Sequence, residues 1–188
     1  MSSLCLTTGK SSSVVEILTE NYAPVTAAHE LAHNLGAAHD GENNACRPED
    51  RYIMAPSTSK ETPETRLNPW KFSLCSIEYF KIYLTDAIKT PTVRDCLTKS
   101  LAHDAKVPNV ANRLTGQEIS LDKQCERNFG SGASFCRTKD TVYADLCRSA
   151  TCKRHGTTTC VPMPVARGTT CGNGKLCIKG DCVKHKKA

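Results

Sequence analysis

The stretch HELAHNLGAAHD, residues 29–40, constrains this chain more than any other feature of its sequence. His29 and His33 are four residues apart, so on a helix they share one face and can bind one cation through imidazole nitrogens. Glu30 lies about 100° round the same helix, where it can act on water bound to that cation. Gly36 can adopt the positive φ that stops the helix and turns the chain back, which brings in His39 as a third ligand.

Three neutral nitrogens and one open position are typical of a catalytic zinc site, because a structural site fills its fourth position with a protein ligand. Zinc lowers the pKa of its water towards about 7, and Glu30 can take that proton and pass it to a leaving amine. The alternative is a helix that carries histidines for ordinary polar reasons. The pattern HExxHxxGxxHD fixes six residues, and a chance match is then on the order of one in several hundred thousand. We therefore expect amide hydrolysis at a metal centre.

Two helices are predicted from apolar spacing. The first runs from Pro24 to Leu35, with proline in the first turn and Gly36 at the end. Its apolar face comprises Val25, Ala28, Ala32 and Leu35. The second covers residues 76–88, with Ser76 as its cap and Pro91 as its end. Its apolar positions are Ile77, Phe80, Leu84 and Ile88.

Twelve cysteines, eight of them between Cys125 and Cys182, indicate disulfides and an oxidising compartment. No CxxC pair occurs in the sequence, which argues against a cysteine zinc site. Spacing alone leaves the pairing open, because eight cysteines allow roughly a hundred connectivities. The carboxyl-terminal stretch is too short for a large core and must be held by its disulfides.

We expect a secreted, extracellular protein, although SSLCLTTGKSSS after Met1 lacks the basic start and apolar run of a signal peptide. That contradiction suggests an incomplete amino terminus. No stretch is long and apolar enough for a membrane span. The formal net charge is +6, with lysines gathered near the carboxyl end. These form either a solvated surface or a contact for an anionic matrix or lipid partner. Nucleic acid is disfavoured, because the basic residues are scattered and aromatic residues are scarce.

HELAHNLGAAHD resembles the zinc helix of the metzincin endopeptidases. Asp40 directly follows the third histidine, and an aspartate in this place resembles the pattern of the reprolysin branch. That branch contains snake-venom, ADAM, ADAMTS and tick salivary metalloproteases. The resemblance implies that Met54, in YIMAP, forms the methionine turn beneath the metal, and that Asp40 holds the turn after the third ligand. It also implies one catalytic zinc ion, and a structural calcium ion in the full-length family member.

The cysteine spacing of residues 114–183 is similar to that of the disintegrin-like domain of ADAMTS proteins, which acts chiefly as an exosite. The two resemblances together imply six disulfides: Cys5–Cys96, Cys46–Cys75, Cys125–Cys152, Cys136–Cys160, Cys147–Cys177 and Cys171–Cys182. Lys179, Gly180 and Asp181 spell KGD. This tripeptide is either an integrin-binding loop or the turn that lets Cys182 close its bridge.

The expected fold class is α+β: a truncated metzincin catalytic domain with zinc helix, methionine turn and carboxyl-terminal helix, followed by a small disulfide-stapled domain with little regular structure. We place a partial protease domain at 1–98, a linker at 99–113 and a disintegrin-like cysteine-rich domain at 114–188. Only 28 residues precede His29. The resemblance therefore covers only the carboxyl half of the family's protease domain, without most of its sheet.

The leading functional prediction is a zinc metalloendopeptidase, with Glu30 as the catalytic base and His29, His33 and His39 as metal ligands. Its expected substrates are extracellular matrix or blood proteins, and a monomer is expected. The alternative is a non-catalytic extracellular module that binds through the disulfide-rich carboxyl domain.

Overall fold

The computed structural model describes residues 4–5, 11–16, 21–99, 110, 112–137 and 143–186. These residues fall into two compact units, each described here by itself. The first unit comprises those within Met1–Glu16 and Pro24–Asn109, and the second those within Ile17–Ala23 and Val110–Ala188. Most of the predicted linker at 99–113 lies outside the described residues.

The described part of the first unit contains helices and turns but no strand. Helix α1 spans Ala23–Asn34, α2 spans Leu74–Ala87 and α3 spans Pro91–Thr98. Short 3-10 helices occur at Pro48–Asp50 and Asn68–Trp70. Disulfides Cys5–Cys96 and Cys46–Cys75 cross-link this unit. Its small core comprises Ala32, Ala37 and Met54, with Ile53, Phe72, Tyr79 and Phe80 packed around them.

Helix α1 ends in a Schellman motif. Gly36 has a φ of 87°, which an L residue with a side chain rarely adopts. The Gly36 amide donates to the His33 carbonyl over 3.0 Å, and the Ala37 amide donates to the Ala32 carbonyl over 3.0 Å. The structure therefore turns the chain sharply after Leu35, as the glycine suggested. On the predicted apolar face of the helix, however, only Ala32 is fully buried.

The cap predicted for α2 and the role predicted for Pro91 are wrong, although the helix ends within one residue of the predicted position. The capping residue is Ser73, whose hydroxyl accepts from the Ser76 amide, so Ser76 lies inside the first turn. Ser73 is held in place by a contact with Asp40, which is distant in sequence and leaves no local signal. Pro91 does not end α2, which stops at Ala87, but occupies the first turn of α3.

The apolar face predicted for α2 is also only partly correct. Phe80 packs against the core and contacts Phe72 edge to face, with ring centroids 5.0 Å apart. Ile77 and Ile88 are 39% and 43% exposed. The Cys46–Cys75 bridge fixes which side of α2 faces inward, and that long-range constraint overrides the apolar spacing.

The second unit contains far more regular structure than expected. Helices α4, α5 and α6 span Thr115–Glu118, Leu121–Phe129 and Tyr143–Ser149. Strands β1, β2 and β3, at Ser134–Phe135, Ala150–Lys153 and Cys160–Met163, form one antiparallel sheet in that order. Strands β4, β5 and β6, at Thr170–Gly172, Lys175–Ile178 and Asp181–Lys184, form a second. The prediction of little regular structure is therefore wrong, because strands of two to four residues are too short to show a period.

Sulfur atoms make up much of the core of the second unit. Its buried residues are Cys125, Ala133, Phe135, Leu146, Cys147, Ala150, Cys152, Met163, Cys171 and Cys177. The four bridges are Cys125–Cys152, Cys136–Cys160, Cys147–Cys177 and Cys171–Cys182. All six pairs in the structure are those that the resemblance implied. The chain as a whole is thus of mixed helix and sheet type, with every described strand in the second unit.

Candidate metal centre

Helix α1 and the turn after it bring three imidazole rings together. The ring centroids of His29 and His33, one turn apart on the helix, lie 4.9 Å from each other. After the Gly36 turn, the His39 ring lies 5.1 Å from that of His29 and 4.8 Å from that of His33. One potential ligand atom from each residue lies within 4.8 Å of the others. The structure therefore brings together the three predicted ligands.

The tautomers of two rings follow from their hydrogen bonds. The His29 Nδ1 lies 2.7 Å from the Ile53 carbonyl oxygen, and the His33 Nδ1 lies 2.8 Å from that of Ala37. A carbonyl oxygen can only accept, so each Nδ1 carries the proton in the neutral ring. Each Nε2 is then an unprotonated lone pair, which is the form of histidine that binds metals.

The donor set fits a zinc ion. The Nε2 atoms of His29 and His39 are 3.2 Å apart, and tetrahedral Zn–N bonds of about 2.0–2.1 Å place two ligand nitrogens roughly 3.3–3.4 Å apart. A cation placed between these two nitrogens would accept a lone pair from each. Three histidines that converge in this way match the ligand set of a catalytic zinc site.

Glu30 is partly buried on α1, next to the first ligand. In the described part of the chain its carboxylate makes no hydrogen bond or ion pair, while its backbone carbonyl accepts from Ser13 Oγ over 3.4 Å. Burial and the positive charges of His33 and His29 lower the pKa of His39, and the charges of Glu42 and Glu30 oppose that shift. The Glu30 carboxylate is thus within electrostatic range of the His39 ring.

A turn at Tyr52–Ala55 lies against the site and supplies two backbone acceptors. The Ala55 amide donates to the Tyr52 carbonyl over 2.9 Å, which closes the turn. The Ile53 carbonyl holds the ring of His29, and the Met54 carbonyl accepts from the Asp40 amide over 2.9 Å. The Met54 side chain is fully buried with Ala32 and Ala37. Met54 therefore packs against both the helix and the turn that carry the ligands.

Asp40 connects the turn after the third histidine to the start of α2. Its side chain is 1% exposed, and its Oδ1 accepts from Ser73 Oγ over 2.6 Å. Burial raises the pKa of the Asp40 carboxyl, and the hydrogen bond from Ser73 opposes that shift. The residue predicted to hold this turn therefore contacts the N-cap of α2, a partner that the sequence did not reveal.

The amino-terminal part of the sequence matches a known family. The pattern of the reprolysin (M12B) family of zinc metalloproteases matches residues 1–99, which contain the whole histidine cluster. The chain belongs to the reprolysin family. Within this reprolysin, the pattern of ADAMTS cysteine-rich domain 2 matches residues 115–183, which contain the eight cysteines of the second unit.

The chain also resembles individual proteins, which are named as metalloproteinases with thrombospondin motifs. It is 35% identical over 160 residues to A disintegrin and metalloproteinase with thrombospondin motifs 18 of Mus musculus, which covers 85% of the chain and 12% of that protein. The Homo sapiens protein of the same name is 36% identical over 162 residues, again 85% of the chain and 12% of the relative. A Bombyx mori protein named as ADAMTS-like is 33% identical over 170 residues, with 85% of the chain and 22% of the relative covered. The chain thus spans about an eighth of the two mammalian relatives.

The KGD tripeptide of this chain forms a tight hairpin turn between β5 and β6. Lys179 and Gly180 have φ of 50° and 77°, and Ile178 pairs with Asp181 across the turn. Positive φ at both central residues is the type I′ arrangement that joins two strands directly. Asp181 Oδ1 accepts from the Cys182 amide over 2.9 Å. Of the two interpretations, the structure supports the turn that places Cys182 for its bridge.

Sequence reasoning missed three side chains that shape the reprolysin site. Ser73 binds Asp40, as described above. Asn44 Nδ2 donates to the His39 carbonyl over 2.8 Å, and Glu42 Oε2 lies 3.4 Å from His39 Nδ1. Asn44 lies in the run GENN, and asparagine is a common turn residue. Its role in this turn could therefore have been predicted from the sequence. Ser73 could not, because its partner is 33 residues away.

Proposed function

We propose that this chain is a secreted zinc metalloendopeptidase that hydrolyses peptide bonds in extracellular proteins. One observation carries the proposal: three imidazole rings converge, and backbone carbonyls hold two of them with unprotonated Nε2 atoms facing inward. The family supports zinc as the metal. Six disulfides support an oxidising, extracellular setting.

His29, His33 and His39 would hold the zinc ion, with Met54 as the apolar floor of a metzincin methionine turn. When bound, zinc supplies a Lewis acid that polarises water and the substrate carbonyl. Glu30 accepts a proton from the water whose oxygen attacks the carbonyl carbon. It then gives that proton to the amide nitrogen as the C–N bond breaks, so one water is consumed and a carboxyl and an amine are formed.

Cleavage of an unstructured protein substrate such as casein tests this proposal. We expect cleavage that a zinc chelator abolishes and that added zinc restores. Glu30→Gln should lower the rate at least about a hundredfold, because it removes the proton acceptor while retaining the shape of the side chain. Glu49→Gln, which removes an exposed carboxylate at the 3-10 helix of the same unit, is the matched control. Zinc bound in stoichiometric amount without turnover would contradict an active enzyme.

A second candidate function is binding of an anionic extracellular partner through the second unit. Lys175 and Lys184 face each other across β5 and β6, and both side chains are exposed. Like charges directly opposite each other destabilise a strand pair, so a polyanion would relieve their repulsion. Replacing both lysines with glutamate in the whole chain should abolish retention on a sulfated polysaccharide column at low salt. Unchanged retention would remove this candidate.

A further inference from the structure

The third ligand is held differently from the other two. The Nδ1 atoms of His29 and His33 donate to backbone carbonyls, which no side-chain substitution can remove. The His39 Nδ1 instead faces a side chain, the Glu42 carboxylate, with its Oε2 at 3.4 Å. We propose that Glu42 is a positioning residue that keeps the His39 ring oriented with Nε2 towards the metal. This inference rests on the zinc site of the proposed function.

A tight turn produces the contact between these two residues. The Glu42 amide donates to the His39 carbonyl over 3.0 Å, and Gly41 between them has a φ of 87°. Glycine with positive φ at the third position is typical of a type II turn, which places its first and fourth residues side by side. Glu42 Oε2 also accepts from the His39 backbone amide over 3.3 Å. The same carboxylate therefore contacts both the main chain and the ring of His39.

Asn44 fixes the backbone of this turn but not the ring. Its Nδ2 donates to the His39 carbonyl over 2.8 Å, and its Oδ1 accepts from the amides of Gly41 and Cys46 over 3.0 and 3.1 Å. The Cys46–Cys75 disulfide then ties the end of the turn to α2. With the backbone held in this way, Glu42 is the partner that the described chain offers to the His39 Nδ1.

The chemical consequence concerns metal affinity more than folding. A carboxylate on the outer nitrogen of a ligating histidine fixes the tautomer and raises the basicity of the inner nitrogen, and its loss typically costs about 10- to 100-fold in affinity. The Glu42 side chain is 59% exposed, so an ion pair there contributes little to folding. Zinc affinity should therefore respond to position 42, and the stability of the metal-free chain should not.

Zinc affinity is measured by competition with a chromophoric chelator at neutral pH, in Glu42→Ala, Glu42→Gln and the control Glu49→Gln. We expect Glu42→Ala to weaken zinc binding by about tenfold or more. Glu42→Gln should weaken it less, because the amide oxygen can still face Nδ1 although the charge is lost. Glu49→Gln, which also removes one negative charge, should bind like the parent. The thermal midpoint of the metal-free chain should be the same in all four proteins.

The His39 tautomer provides a second measurement that needs no metal. Nitrogen chemical shifts of the ring, recorded by NMR on the metal-free chain, should show a proton on Nδ1 in the parent and a shift towards Nε2 in Glu42→Ala. Unchanged zinc affinity in Glu42→Ala, or an unchanged tautomer, would overturn the role of Glu42. If the parent chain bound no zinc, the proposed function would fail, whereas the tautomer would still decide whether Glu42 holds the ring.

Discussion

At the scale of single residues, the backbone determines the chemistry of the site. Carbonyls of Ala37 and Ile53 place protons on the outer nitrogens of two histidines and leave the inner nitrogens as bare acceptors. Gly36 makes this possible, because its positive φ returns the chain towards α1 and brings the third ring into contact with the first two. A single backbone conformation thus decides whether the cluster contains two histidines or three.

Gly41 is the second glycine on which the site depends. A Cβ at this position would lie 2.8 Å from Pro48 Cγ, in addition to the cost of its φ of 87°. Gly156 has a φ of 72° and nothing within 4 Å of the same position. Gly41→Ala should therefore lower the free energy of unfolding by at least about 1 kcal/mol more than Gly156→Ala, measured by urea denaturation. Equal losses of unfolding free energy in the two variants would show that Pro48 can move away from the new Cβ without an energetic penalty.

At the scale of elements, long-range contacts decide where helices begin and which side they bury. The sequence predicted α1 within one residue at each end, because its proline and glycine signals are local. It misplaced the cap of α2 and part of its apolar face, because Ser73 depends on Asp40 and the inward side of the helix depends on Cys46. It missed the strands of the second unit, which are too short to show a repeated alternation of apolar and polar residues.

The Ser73 hydroxyl acts in two elements at once. It accepts from the Ser76 amide at the start of α2 and donates to the buried Asp40. Ser73→Ala should lower the free energy of unfolding by about 1–3 kcal/mol, because it removes a helix cap and one hydrogen bond of a buried carboxylate. Thr90→Ala is the control, since the Thr90 side chain makes no capping hydrogen bond at the start of α3. Urea denaturation compares the two, and equal losses would contradict the role of Ser73.

Asp122 links α5 to β1 and gives the second unit a pH dependence. Its Oδ1 accepts from the Phe135 amide over 2.9 Å, and the hydrogen bond from Arg137 lowers the pKa of its carboxyl. Because the pKa of the Asp122 carboxyl is lower in the folded chain than in the unfolded chain, its ionised form stabilises the fold. This contribution is complete above the unfolded pKa of about 3.9 and is lost as the pH falls through the folded pKa.

Asp122→Asn should therefore cost about 1 kcal/mol at neutral pH, a modest figure because the carboxylate is partly exposed and screened. The difference between parent and variant should shrink as the pH falls below about 3.9. Thermal unfolding of parent and variant at neutral pH and below about pH 3.9 measures this difference in stability. A difference that stayed constant, or that grew in acid, would contradict this account.

At the scale of the whole molecule, disulfides stabilise the fold in place of a large apolar core. The second unit buries six cysteines of its four bridges among few large side chains, which suits a chain too small to be held by apolar burial alone. Composition predicted this dependence from the cysteine count. It could not give the pairing, which came from the resemblance and matches the pairs in the structure.

Two disulfides close loops of nearly equal length but differ in burial. Comparing them distinguishes the stability gained from loop closure from the stability gained from packing. Cys125 and Cys152 are both 0% exposed and 27 residues apart, whereas Cys136 and Cys160 are 24 residues apart and Cys160 is exposed. Loop closure alone predicts almost the same loss for either bridge. Replacing Cys125 and Cys152 with alanine should cost more than replacing Cys136 and Cys160, by about 1 kcal/mol or more, because it removes two buried cysteines rather than one. If the two double variants had equal thermal midpoints, the stabilisation by these disulfides would be due to loop closure and not to burial of sulfur.

Among the described residues, no helix has the length and apolar character needed to cross a lipid bilayer. The central claim about this chain is the proposed zinc site at His29, His33 and His39, and X-ray absorption at the zinc edge tests that site most directly. We predict one zinc ion per chain with three imidazole nitrogens at about 2.0–2.1 Å and one oxygen ligand from water, and the loss of one nitrogen in His39→Ala. Sulfur ligands, or a spectrum that His39→Ala leaves unchanged, would contradict it.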